Sequence, residues 1–130
     1  MKLCIRAHDL GVRGTEDILG QLECLGLDGV QMVCYKVYDG IPYEPNAITQ
    51  EKAAEIGGAF SCAGKIIPLV GAYFNPVHPD REKAARGRDI FAGYLRSCRA
   101  MGCGVVGSET GSYSGDPWVY HPRNRTEAAL

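Results

Sequence analysis

The stretch Thr49-Gln-Glu-Lys-Ala-Ala-Glu-Ile-Gly-Gly-Ala-Phe-Ser-Cys-Ala-Gly64, followed by Lys65-Ile-Ile-Pro-Leu-Val-Gly-Ala-Tyr73, holds one complete helix-then-strand unit. Thr49 opens the helix, and Ala53, Ile56, Phe60 and Ala63 line its inner face at helical spacing. Gly64 closes it, because the residue after a helix often turns left-handed and glycine does so without a steric penalty. The run over 65–73 is apolar without alternation, the mark of a strand covered on its faces by helices.

The same unit recurs on either side. Gly26, Gly64 and Gly102 are spaced 38 residues apart, and each separates an amphipathic helix from an apolar run. The first helix begins at Thr15 as N-cap, with Glu16 and Asp17 complementing the helix dipole and Ile18, Leu22 and Leu25 forming its buried stripe. The third begins at Asp80, with Phe91, Leu95 and Cys98 on its apolar side. Its basic residues, Arg81, Lys83, Arg86, Arg88, Arg96 and Arg99, are scattered around the helix and read as a solvated face. Strands are expected over 3–7, 29–33, 65–73 and 103–108, giving an α/β chain with a parallel sheet and right-handed crossovers.

Four such units in 130 residues are half of a (β/α)8 TIM barrel, which takes about 250. A flavodoxin-like open sheet is the competitor, and it needs a fifth strand that the sequence does not offer. Residues 1–130 are therefore read as a single domain, a half-barrel. A fourth helix opens at Thr126-Glu-Ala-Ala-Leu130, so the chain is expected to be truncated at the start of that helix.

The composition is that of a soluble globular protein, with 45% hydrophobic and 22% charged residues. Lys and Arg total 14 against 15 Asp and Glu, a net charge of −1, so no basic surplus points to nucleic acid. No apolar run is long enough to span a bilayer, and the N-terminus lacks the apolar core of a signal peptide. A cytoplasmic location follows as the expectation. The six cysteines, Cys4, Cys24, Cys34, Cys62, Cys98 and Cys103, contain no C-x-x-C pair and no histidine neighbour. Most of them fall in expected strands or on apolar helix faces and read as small hydrophobes.

In parallel α/β architectures the chemistry sits at the carboxyl ends of the strands. Those ends are the segments 7–14, 34–48, 73–80 and 109–125, and His8, His78, His121, Trp118 and six of the seven tyrosines fall in or beside them. Glu109 follows the fourth strand directly and is the first candidate for catalysis, as a base, a metal ligand or a holder of sugar hydroxyls. His78 stands in Asn75-Pro-Val-His-Pro-Asp80, a turn stiffened by two prolines. His8 ends the first strand, and His121 precedes the last helix. Neither phosphate-binding glycine motif is present, and no G-x-S-x-G elbow occurs. Gly11, Gly14, Gly111 and Gly115 could still let backbone N–H groups approach an anion.

The run Gly71-Ala-Tyr-Phe-Asn-Pro-Val-His-Pro-Asp80, then Met101-Gly-Cys-Gly-Val-Val-Gly-Ser-Glu-Thr-Gly-Ser112, resembles the sugar phosphate isomerase/epimerase family, as does Leu25-Gly-Leu-Asp-Gly-Val-Gln31. That family has the xylose isomerase-like TIM-barrel fold, and the similarity covers essentially the whole chain as the N-terminal half of such a protein. The resemblance implies metal-assisted proton transfer next to a carbonyl on a sugar or sugar phosphate, with a divalent Mn, Mg, Co or Zn ion. Family members draw most metal ligands and catalytic glutamates from strands five to eight, which this sequence lacks. The chain is then expected to supply the substrate-binding wall through His8, Tyr73, Asn75, His78 and His121, with Glu109 as its catalytic candidate. By itself it is expected to show no isomerase activity. The endonuclease IV-type branch shares the Tyr-x-Asn portion but has a histidine just before that tyrosine, where this chain has Val70, Gly71 and Ala72. A reading of another class is a non-catalytic half-barrel that binds a ligand and dimerises through its exposed sheet edges.

Overall fold

In a computed structural model of the protein, residues 1–116 and 119–126 are described. Four strands, β1 (Cys4–Arg6), β2 (Gly29–Met32), β3 (Ile66–Gly71) and β4 (Val106–Gly107), form one sheet in the order β1-β2-β3-β4, every pair parallel. Between them run helices α1 (Thr15–Cys24), α2 (Cys34–Val37), α3 (Gln50–Cys62) and α4 (Arg81–Ser97). Two short 3-10 turns, Ala7–Leu10 and Pro122–Arg125, complete the pattern. The α/β class and the parallel sheet match the sequence reading. None of the described helices is long and apolar enough to cross a membrane.

The three spaced glycines perform the same job three times. Gly26, Gly64 and Gly102 have φ of 64°, 67° and 76°. In each case the next residue donates its N–H to the carbonyl five residues back: Leu27 to Leu22 at 2.9 Å, Lys65 to Phe60 at 2.9 Å and Cys103 to Cys98 at 3.0 Å. This is the Schellman stop, which satisfies helix-end carbonyls and aims the chain back at the sheet. Below the first stop, Asp28 accepts from the Leu3 backbone N–H at 2.8 Å and pairs with Lys2 at 3.0 Å, tying the start of β1 to β2.

The core lies between the sheet and its helices. Ile18 and Leu22 of α1, Ile56 and Phe60 of α3, and Ile90 of α4 pack with Val30, Met32, Ile67 and Val70. On the other side of the strands, Cys4 and Arg6 are exposed, and Gln31 and Leu69 are only half-buried. The helices thus cover one face of the sheet.

Several expectations require correction. Gly14, not Thr15, is the N-cap of α1, and the Thr15 hydroxyl is instead 3.0 Å from the Tyr38 hydroxyl. Leu25 is 54% exposed because it is the C-cap, beyond the last turn whose stripe it was expected to extend. Ala63 is likewise the C-cap of α3 and exposed. On α4 the buried stripe is Gly87, Ile90, Gly93, Tyr94 and Ser97, and Leu95 is 50% exposed. Glycines carry no hydrophobic signal, yet here they let α4 approach: a Cβ on Gly87 would sit 2.6 Å from Phe74. Only Cys34, Cys98 and Cys103 are buried, and Cys4, Cys24 and Cys62 are exposed. The expected fourth helix at 126–130 and Trp118 lie outside the described residues, apart from Thr126, whose hydroxyl donates to the Arg123 carbonyl at 3.0 Å. Thr49 and Asp80 cap α3 and α4 as expected, accepting from Lys52 and from Glu82 and Lys83.

Candidate functional site

The loops leaving the carboxyl ends of the strands carry the polar and aromatic residues, and two of them meet over the end of β3. Tyr73 lies two residues past that strand, and its ring folds back over Gly71. A Cβ at Gly71 would stand 2.7 Å from the Tyr73 ring, so only glycine admits this path. The folded-back Tyr73 hydroxyl accepts a hydrogen bond from the Gln31 side-chain amide, which projects from β2. Tyr43 donates its hydroxyl proton to the Tyr73 backbone carbonyl at 2.8 Å and packs edge-on to Tyr35 at 4.8 Å between ring centroids.

Glu109 is exposed, and near enough to Tyr35 and Tyr43 for its charge to bear on both hydroxyls. Burial pushes the Tyr35 hydroxyl up to about 12, and the neighbouring Tyr43, Tyr73 and Glu109 push in the same direction. Tyr43 is raised by burial as well, with Arg86 opposing and Glu109 adding to the rise. Tyrosine is protonated at neutral pH in any case, and the upward shifts only widen that margin; the Tyr43 proton already goes to the Tyr73 carbonyl, which leaves Tyr35 as the donor. Gln31, Tyr35, Tyr43, Tyr73 and Glu109 therefore form a small set of apolar rings with polar tips and one anionic acceptor. Ring faces of this kind can cover C–H groups while the polar tips meet hydroxyls.

Of the sequence candidates, Tyr73 and Glu109 join this cluster. Asn75 does not face it with a free group. Its amide donates to the carbonyls of Ser112 at 2.6 Å and Ser114 at 3.2 Å, and its oxygen accepts from the N–H groups of Val77 and Ser112. Asn75 is a clamp between the loops after β3 and β4. His78 and His121 share a separate depression with Arg81, Tyr113 and Arg123. Gln31, Tyr35 and Tyr43 were not singled out from sequence. Only the bunching of tyrosines after β2 hinted at two of them.

His8 stands apart, in the 3-10 turn after β1. Its Nδ1 is buried without a hydrogen-bond partner, and its Nε2 is 3.8 Å from Asp9. Burial lowers its pKa below the ordinary 6.5, Lys36 and Arg6 lower it further, and Asp9 opposes them. Its proton resonance is expected to titrate with a midpoint below 6.5 in an NMR pH series. The unfolded chain takes this proton first, so His8 costs stability as pH falls from 6.5 through its folded midpoint. His8→Gln is expected to remove that part of the acid dependence.

Among the described residues no three His, Cys, Asp or Glu side chains converge as a metal-binding group. The donors that the described residues bring together do not fit the divalent ion that the resemblance implies. Comparisons with protein-family models, with curated proteins and with solved structures find no match to this chain.

Proposed function

We propose that this chain forms the substrate-binding half of a sugar or sugar phosphate isomerase or epimerase, its four strands an arc of an eight-stranded barrel. The strand order supports the barrel reading. A doubly wound sheet reverses direction at a switch point, whereas a barrel adds each strand beside the last. The order here is sequential throughout. Fold alone does not carry function. The observation that carries it is the Gln31, Tyr35, Tyr43, Tyr73 and Glu109 cluster at the carboxyl end of the sheet.

In this reading the Tyr35 and Tyr73 hydroxyls donate to sugar oxygens, and the tyrosine rings exclude water from one side of the substrate. Glu109 accepts a hydroxyl hydrogen bond or takes the proton from the carbon beside the carbonyl. As that C–H bond breaks, its electron pair moves into the carbonyl to give an enediolate, and the proton returns to the other face or the adjacent carbon.

The test is binding, followed by two-dimensional NMR with a panel of aldoses, ketoses and their phosphates. Shifts are expected at Gln31, Tyr35, Tyr43 and Tyr73, and Glu109→Gln is expected to weaken binding about tenfold, the loss of one charge-assisted hydrogen bond. A panel that perturbs none of these residues sinks the proposal.

A second reading has its own observation. Among the described residues β1 and β4 are the unpaired edges of the sheet, and the face opposite the helices bears exposed Cys4 and Arg6 with half-buried Gln31 and Leu69. Two copies joined edge to edge would close such a sheet. Sedimentation velocity over a hundredfold concentration range is expected to show a dimer, and a monomer throughout would refute it.

A further inference from the structure

The sequence holds two Asp-Gly pairs, Asp28-Gly29 and Asp39-Gly40, and the fold treats them in opposite ways. An aspartate followed by glycine is where a main chain most readily attacks its own side chain, since glycine has no Cβ to obstruct its amide nitrogen. Whether the attack takes place depends on how freely the carboxyl group and that nitrogen can meet. Asp28 is fixed at every polar group. Its carboxylate accepts from the Leu3 N–H at 2.8 Å and from Lys2 Nζ at 3.0 Å. Its own N–H donates to the Leu3 carbonyl at 2.8 Å, and its carbonyl accepts from the Ile66 N–H at 2.9 Å. Gly29 lies in the parallel ladder, between Cys4 of β1 and Ile66 of β3. Cyclisation there requires the carboxylate to leave two partners and the centre of the sheet to open.

Asp39 and Gly40 are the middle residues of an exposed turn, which the Ile41 N–H closes on the Tyr38 carbonyl at 3.1 Å. The Asp39 side chain is 84% exposed, and among the described residues its partner is Arg13, at 2.7 Å. An ion pair between two side chains this exposed is a weak restraint. The Gly40 N–H has no hydrogen-bond partner among the described residues. A Cβ built on Gly40 meets nothing within 4 Å, so the space beside its nitrogen is open.

We propose that Asp39 is a site of spontaneous isoaspartate formation, and that the fold directs this modification to Asp39 and away from Asp28. The Gly40 amide nitrogen attacks Cγ of Asp39. A bond forms between that nitrogen and Cγ, the carboxyl hydroxyl leaves with the amide proton as one water, and a succinimide ring results. Water then opens the ring. Attack at Cγ restores aspartate, whereas attack at the former main-chain carbonyl carbon of Asp39 leaves the chain running through Cγ, with the free carboxylate on Cα. No oxidant, reductant or cofactor takes part, and the mass returns to its starting value. The product lengthens the main chain by one methylene carbon and moves the carboxylate from its place beside Arg13. That unfastens the Asp39 turn from the loop before α1, where Arg13 stands. The inference does not depend on the isomerase reading.

The test is ageing of the full chain at 37 °C and pH 6. Isoaspartate is located by peptide mapping with electron-transfer fragmentation and counted by methyl transfer from labelled S-adenosylmethionine with an isoaspartyl methyltransferase. Product at Asp39 is expected to exceed that at Asp28 by about tenfold or more, because Asp28 reacts only when the sheet opens. In concentrated urea the two sites are expected to react at similar rates, since both are Asp-Gly and the fold no longer separates them. Gly40→Ala, for which the structure has room, is expected to slow Asp39 severalfold while keeping the circular dichroism of the parent. Equal product at the two sites in the folded chain overturns the proposal. So does a gap that persists undiminished in urea, a Gly40→Ala variant that reacts like the parent, or a folded chain free of isoaspartate at Asp39 when the unfolded chain has formed it.

Discussion

Gly29→Ala is expected to lower stability by about 3 kcal/mol or more, read as the fall in the urea midpoint at unchanged m. Gly29 begins β2 and lies opposite Ile66 at the start of β3. A Cβ there would stand 2.0 Å from the Ile66 carbonyl oxygen and 2.8 Å from its carbonyl carbon. A flexible side chain can swing away from such a contact, but this neighbour is backbone. It is also tethered, since the Ile66 N–H donates to the Asp28 carbonyl at 2.9 Å. Relief requires parting β2 from β3, the central pair of the sheet. Against a typical total of about 5–15 kcal/mol, the loss takes a large share of the stability. An unchanged midpoint would mean that the two strands are not packed at this separation.

Gly57→Ala and Gly58→Ala, adjacent on α3, are expected to act with opposite sign. In an exposed helix interior, alanine in place of glycine gains about 1 kcal/mol through backbone entropy. Gly58 is exposed with nothing within 4 Å of a built Cβ, so it is expected to realise most of that gain. Gly57 is buried, and its Cβ would lie 2.6 Å and 2.7 Å from backbone atoms of Met101, in the turn that leads to β4. Overpacking against backbone costs about 1–3 kcal/mol, enough to outweigh the propensity term. Thermal unfolding of the two variants checks both signs in one comparison. Equal shifts in the same direction would refute the close approach of α3 to the Met101 turn.

The parts of the fold that were readable from sequence are those with local causes. A Schellman stop involves six consecutive residues, so Gly26, Gly64 and Gly102 announced the helix ends, and with them the strands that follow. Thr49 and Asp80 announced helix starts for the same reason. The buried face of α4 was misread because Gly87 and Gly93 matter through what they allow to approach, Phe74 in one case, and a sequence does not show the approaching partner. The candidate site was half legible. Glu109 is readable from its position directly after a strand, whereas Tyr73 is offered only by the family resemblance. Gln31 sits in the middle of an apolar run and reads as an interruption of it, and its hydrogen bond to Tyr73 spans 42 residues. The family resemblance makes Asn75 a ligand contact, and the structure makes it a clamp. Its four hydrogen bonds to residues of two loops are set by tertiary proximity.

The sequential strand order, described above as a matter of topology, also bears on cooperativity. Each strand bonds only to the strands next to it along the chain, and α1, α3 and α4 touch in that same succession. Such a sheet behaves as a row of nearest-neighbour couplings, its strand bonds and main helix contacts running only between successive elements among the described residues. Damage at one terminus releases one interface and leaves the rest engaged, whereas damage at the β2–β3 seam divides the row in two.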